Sequence, residues 1–127
     1  MRLIVDAANV VGSVPDGWWR DRQGATERLR DALVAYAAEG VSGHPGPVEV
    51  VLVVEGAARD VAPVAGVRVE AADGSGDDLI TELAGRAAAD GVPCLVVTAD
   101  RELRRRVTAH GALCAGPRTV RRRPLPS

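Results

Sequence analysis

Hydrophobic positions along this chain follow two patterns in turn. Short apolar runs occupy residues 3–5, 48–54, 67–69, 94–97 and 112–115, and only Glu49 and Arg68 interrupt them. They are continuous, not alternating, which is the pattern of strands covered on both faces. Between them lie segments with a helical period. Ala25, Leu29, Ala32, Leu33, Tyr36 and Ala37 share one face, with Glu27, Arg28, Arg30 and Asp31 turned away, and Gly40 stops the segment. The pairs Leu79/Ile80, Leu83/Ala84 and Ala87/Ala88 recur four apart, and Gly91 ends that helix before Pro93 opens the next strand. A third helix starts at Asp100, turns Leu103 and Val107 inward and ends at Gly111. Residues 7–11 read as one helical turn. Residues 12–17, 42–47 and 72–76, rich in Gly, Pro and Ser, read as loops. Around Trp18 to Arg22 the helix start is left open by the pattern.

Strands that alternate with helices predict an α/β fold. Three layers are expected, with a central, mostly parallel sheet of four to five strands between helices. The division expected is one domain over residues 1–116 and an Arg/Pro-rich tail over 117–127. Composition changes the picture in one respect: with no Phe, one Tyr and two Trp, the core must be built from Val, Leu, Ile and Ala. A chain of 127 residues buries roughly two thirds of its unfolded surface and needs no staple. Cys94 and Cys114 sit in apolar runs and read as strand residues. No run reaches the length of a membrane span and no signal peptide is read, so a cytoplasmic protein without a membrane partner is expected.

Net charge is −1, and every one of the 16 basic residues is Arg. The arrangement of acids says more. Ligands of open parallel sheets bind beyond the carboxyl ends of the strands. Asp6 directly follows the first strand, Glu55 the second, and Asp100 lies just after the strand at 94–97. Asp77 and Asp78 open the longest downstream helix. Carboxylates gathered on one rim repel one another unless a cation compensates them, and hard oxygen donors favour Mg²⁺ or Mn²⁺. Such ions lower the pKa of a bound water and neutralise charge on a phosphodiester. Each acid also has a structural reading. Asp100 suits a helix N-cap, Ser75 with Asp78 resembles a capping box, and Glu55 suits a solvated strand end. Asp6, straight after an apolar strand, needs a partner whichever reading holds.

The segments Val-Asp-Ala-Ala-Asn-Val-Val at 5–11, Gly-Asp-Asp-Leu-Ile at 76–80 and Val-Thr-Ala-Asp-Arg-Glu-Leu at 97–103 resemble the NYN/YacP-like branch of the PIN-domain superfamily. The stretch at 15–22, with Trp18 and Trp19, is similar to one in actinobacterial members, and the likeness runs from Arg2 to about Gly116. The resemblance implies a parallel sheet flanked by helices and, from the family's characterised members, a metal-dependent ribonuclease. It implies metal ligation by Asp6, Asp77 and Asp100, with Asp78 and Glu55 in support. It gives Asn9 the role of the family's amide and Thr98 that of a hydroxyl partner. Glu55 stands where many relatives carry Asp or another residue. Ala99 stands where Ser is frequent, which removes a hydroxyl.

Further candidates for binding RNA are Arg20 and Arg22, next to the two tryptophans, and Arg59 and Arg101, flanking the acidic rim. One of the tryptophans is expected to pack on the core. Arg104 to Arg106 are expected on a solvated face, and Arg121 to Arg123 could add salt-sensitive affinity. His44 and His110 are assigned no chemistry. The function expected is an endoribonuclease using Mg²⁺ or Mn²⁺, with RNA as partner and the ribosome or translation machinery as a further candidate; the oligomeric state is not readable. The rival readings are a non-catalytic RNA-binding protein of the same fold and, less favoured, a toxin-type nuclease. A Rossmann-type nucleotide binder is disfavoured, because no Gly-x-Gly-x-x-Gly follows the first strand.

Overall fold

In a computed structural model, which describes residues 1–121, the apolar runs become strands of one sheet. Strand β1 (Arg2–Asp6) is central and is followed by the short helix α1 (Ala7–Val11) and the long helix α2 (Arg22–Glu39). A two-residue pair, β2 (Gly40–Val41) and β3 (His44–Pro45), precedes β4 (Glu49–Val54) and β5 (Val67–Ala71). Helix α3 (Gly76–Ala89), β6 (Cys94–Val97), α4 (Arg101–Thr108) and β7 (Leu113–Ala115) complete the order.

The sheet runs β5-β4-β1-β6-β7, and every neighbouring pair is parallel. Chain order proceeds from β1 through β4 to β5 on one side, then resumes at β6 on the other side of β1. The reversal lies between β1 and β6, where a doubly wound sheet leaves a crevice beyond its carboxyl ends. Both faces are covered. Leu3, Val5, Val50, Leu52, Val54, Leu95 and Val97 meet Leu29, Leu33 and Tyr36 of α2 on one face. Ile4, Val51, Val53 and Val96 meet Ile80, Leu83, Ala84, Leu103 and Val107 of α3 and α4 on the other. Successive strand residues point to opposite faces, so the continuous runs feed two cores at once. Both cysteines belong to the second face and are free thiols.

Several expectations are corrected. Helix α2 begins at Arg22, where the Asp21 side chain accepts the Gly24 N–H, three residues before the apolar stripe makes it visible. Its buried face holds Ala25, Thr26, Leu29, Leu33 and Tyr36, while Ala32 is exposed. Thr26 is tolerated inside because its hydroxyl bonds the Arg22 carbonyl at 2.8 Å. Ala88 of α3 is also exposed. The stretch 42–47 is not a simple loop, since His44 and Pro45 pair antiparallel with Val41 and Gly40. Gly40 both ends α2 and enters this hairpin with φ +84; a Cβ there would lie 2.2 Å from the His44 carbonyl oxygen. The packed body continues past Gly116, the boundary suggested by composition. A 3₁₀ turn over Pro117–Val120 puts Val120 into the first core, and Arg121 donates to the Val10 carbonyl at 2.9 Å. Arg122 and Arg123 lie outside the described residues.

Among the described residues no helix is long and apolar enough to cross a membrane.

Candidate active site

Parallel pairing of β1 with β6 sets Val5 beside Val97, so the next residues outward, Asp6 and Thr98, emerge together. The Thr98 hydroxyl donates to Asp6 Oδ2 at 2.9 Å, and the Asn9 N–H approaches Asp6 Oδ1 at 3.4 Å. Asp6 is 6% exposed and Thr98 is fully buried. Burial, above all, pushes the Asp6 carboxyl up from its ordinary value to about 6. The two hydrogen bonds hold it down, and the charges of Asp77 and Glu55 push it up further.

Asn9 performs its work through the other end of its side chain, whose Oδ1 accepts the Ala99 N–H at 2.8 Å. That bond ties the turn after β6 to α1. Thr98 Oγ1 in turn accepts the Asp100 N–H at 3.2 Å. Asp100 caps α4 through Oδ1, which accepts the Leu103 N–H at 2.8 Å, leaving Oδ2 outside the cap. Arg104, one turn into α4, donates Nε to the Thr98 carbonyl at 2.8 Å.

Glu55 is neither a free strand end nor a carboxylate aimed only at the rim. Its Oε2 accepts the Gly76 N–H at 2.6 Å, anchoring the N-terminus of α3. A Cβ at position 76 would approach that oxygen to 3.3 Å, so glycine allows the close approach. Ser75 caps the same helix through the Asp77 N–H at 3.1 Å. The other half of the capping box is missing, because Asp78 turns outward and pairs with Arg106 at 2.8 Å. The Asp77 carboxylate is half-buried and has no hydrogen bond or salt bridge among the described residues. Burial raises its pKa first, then the charges of Asp100 and Glu55, with Arg106 opposing them.

Asp6, Glu55, Asp77 and Asp100 thus share one electrostatic neighbourhood at the carboxyl edge of the sheet. Among the described residues, no three His, Cys, Asp or Glu side chains stand as a ready-made ligand set for a metal ion. The donor chemistry nevertheless fits a hard divalent cation. All the donors are carboxylates, the charges of the neighbouring acids raise the pKa of Asp6 and of Asp77, and Asp77 has both oxygens uncommitted.

The arginines divide by their surroundings. Arg22 stacks over Trp18 at 5.3 Å and Arg20 over Trp19 at 6.0 Å. Trp18 packs against the core, as expected of one of the pair, and Trp19 is 54% exposed. Trp18, Arg22 and Glu55 line a cavity of about 330 Å³ with Ala7, Thr26 and Gly74, so Arg22 faces the rim while Arg20 stays outside that cavity. Arg59 reaches Asp73 at 3.9 Å, and Arg101 has no partner among the described residues. The expected solvated trio at 104–106 is instead spread over three partners: the Thr98 carbonyl, Glu102 and Asp78. The roles of Arg104 and Arg106 beside the acids were missed in the sequence. Their only local signal is their place one turn or more after Asp100 on the same helix.

No family model matches the sequence, and no curated protein matches it. Solved structures do. A crystal structure of Rae1 (YacP) from Bacillus subtilis superposes with a TM-score of 0.74 at 20% identity, covering 94% of this chain and 71% of that one. A mutant of the same protein gives a TM-score of 0.73 with the same identity and coverage. The family resemblance in the three acidic segments and the similarity in three dimensions point the same way: this chain has the YacP-like, PIN-like α/β fold of the Bacillus subtilis protein.

Proposed function

We propose that this chain is a metal-dependent endoribonuclease, cytoplasmic and acting on RNA. One observation carries the reading: a carboxylate buried at the end of the central strand, Asp6, feels the negative charges of Asp77 and Glu55 from other elements. A fold without a use for that charge would bury a neutral residue there. The YacP-like fold and the resemblance to a family of metal-dependent ribonucleases support it.

In this reading Asp6, Asp77 and Asp100 hold Mg²⁺ or Mn²⁺, with Glu55 and Asp78 in outer support. The bound ion supplies charge neutralisation at the phosphodiester and a more acidic water. The protein's own part is orientation. Thr98 fixes the direction of the Asp6 carboxylate, and Asn9 holds the Ala99 turn so that Asp100 stays at the rim. Glu55 sets the start of α3 and with it the position of Asp77. Arg22, Arg101, Arg59 and Arg20 offer guanidinium groups to phosphate oxygens, and Trp18 and Trp19 offer ring surface. RNA is the partner, presented free or on the translation machinery.

A second reading, a non-catalytic RNA-binding protein, is favoured by the lack of a ready-made ligand set among the described residues. The experiment is cleavage of a labelled structured RNA in Mn²⁺, in EDTA, and by Asp6→Asn. Metal-dependent cutting lost in Asp6→Asn supports the nuclease. Cutting unchanged in Asp6→Asn removes Asp6 from the centre, and RNA bound without cutting selects the second reading.

A further inference from the structure

An acidic rim repels the polyanion it is meant to cut, so the substrate needs a second, positive point of attachment. A groove of about 1050 Å³ lies against α1 and α2 on the side of the 3₁₀ turn after β7. Its floor is apolar, with Val10 and Leu29, and its sides carry Arg28, Arg118 and Arg121 against a single acid, Asp16. Arg28 and Arg118 carry no RNA role in the sequence reading, because they come from α2 and from the segment after the last strand; Arg121 was expected to add salt-sensitive affinity.

Most of the other described arginines are committed. Arg2, Arg30, Arg59, Arg68, Arg86, Arg105 and Arg106 make ion pairs. Arg28 and Arg118 are exposed, and their side chains have neither ion pair, hydrogen bond nor ring contact among the described residues. Two uncommitted guanidinium groups on one groove give a local positive field on a chain of net charge −1.

The groove also touches the rim. Ala99 lines it, and Ala99 lies between Thr98, which bonds Asp6, and Asp100, which caps α4. No aromatic side chain lines it, so bases have no stacking platform there; recognition is of the sugar-phosphate backbone.

We infer that this groove holds the backbone of a single-stranded RNA segment flanking the cleaved bond and delivers it past Ala99 to the acidic rim. The inference rests on the nuclease reading for its direction, but not for its binding test. Arg28→Glu/Arg118→Glu is the test variant, because neither side chain holds the fold together. Arg86→Glu/Arg105→Glu is the control, with the same change of net charge on the helices of the opposite face. Binding of a fluorescein-labelled single-stranded RNA of about a dozen nucleotides is followed by anisotropy in EDTA across a salt series.

The groove variant is expected to lose about tenfold or more in affinity, and its log–log salt slope to fall by about 1.4, at roughly 0.7 per lost phosphate contact. The control is expected to bind nearly as the unmodified protein does. An equal loss in both variants, no loss in the groove variant, or no RNA binding by the unmodified protein overturns the inference. Binding that depends on the groove, without metal-dependent cutting, leaves the groove standing and removes the nuclease. Cutting that is insensitive to the groove variant does the reverse.

Discussion

The Thr98 hydroxyl joins two strands that meet at the centre of the sheet, donating to Asp6 at 2.9 Å while accepting from the Asp100 N–H at 3.2 Å. One buried hydroxyl therefore sets the direction of one acid and the backbone of another. Thr98→Val keeps the shape and removes both bonds. It should cost about 1–3 kcal/mol, because a buried carboxylate oxygen loses its donor, and Thr98→Ser should recover most of the loss. Urea unfolding of the three proteins measures this. Equal stability of Thr98→Val and the unmodified protein would show that water replaces the hydroxyl at no cost.

The raised Asp6 pKa has a definite sign in stability. The folded state holds this proton more tightly than the unfolded chain, so stability falls as pH rises from about 4 to about 6 and is level above that. The ionised carboxylate costs the metal-free fold about 3 kcal/mol at neutral pH. Asp6→Asn should remove that decline and match or exceed the unmodified protein in stability above pH 6. Chemical denaturation in EDTA at stepped pH checks it; a variant that is less stable at pH 7 and more so at pH 4 would contradict the assignment.

Cation binding should appear as stability even where no RNA is cut. Mn²⁺ at a hundredfold excess over its dissociation constant adds about 2.7 kcal/mol to the state that binds it. Thermal unfolding with and without Mn²⁺ should show that rise in the unmodified protein. The rise should be lost in Asp6→Asn and Asp77→Asn and largely kept in Asp78→Asn, whose carboxylate is already taken up by Arg106. An increase that survives both Asp6→Asn and Asp77→Asn places the ion elsewhere.

Glu55 anchors a helix that carries Asp77. Glu55→Ala leaves the Gly76 N–H without its acceptor and should cost about 1 kcal/mol, comparable to loss of an N-cap. Glu55→Gln, which keeps an acceptor oxygen, should lose less. Similar losses in the two variants would mean that the negative charge at the helix terminus matters more than the hydrogen bond.

Much of the architecture was legible along the chain because its causes are local. Apolar runs bounded by Gly and Pro mark strands, and a four-residue recurrence marks α3. Asp100 is a cap by its position alone. The hairpin at Gly40 to Pro45 was not legible, since two-residue strands have no period to detect. Ala32, expected on the inner face, is exposed while Thr26 is buried, because the sheet under α2, not the helix period, chooses which edge of the stripe is covered.

The candidate site follows the same division. That acids stand at the carboxyl ends of β1, β4 and β6 is a matter of sequence, because a strand end is where an apolar run stops. Which way each acid turns is not. Glu55 turns to α3 and Asp78 to Arg106, and both choices depend on groups 21 and 28 residues away that only folding brings near. The groove of Arg28, Arg118 and Arg121 joins α2 to the segment after the last strand, and no local pattern can announce a surface made from segments so far apart in the chain. Order along the chain is enough to mark the long strands and helices and the chemistry at their ends, whereas which charges meet follows from folding, because partners are set by distance in space and not along the chain.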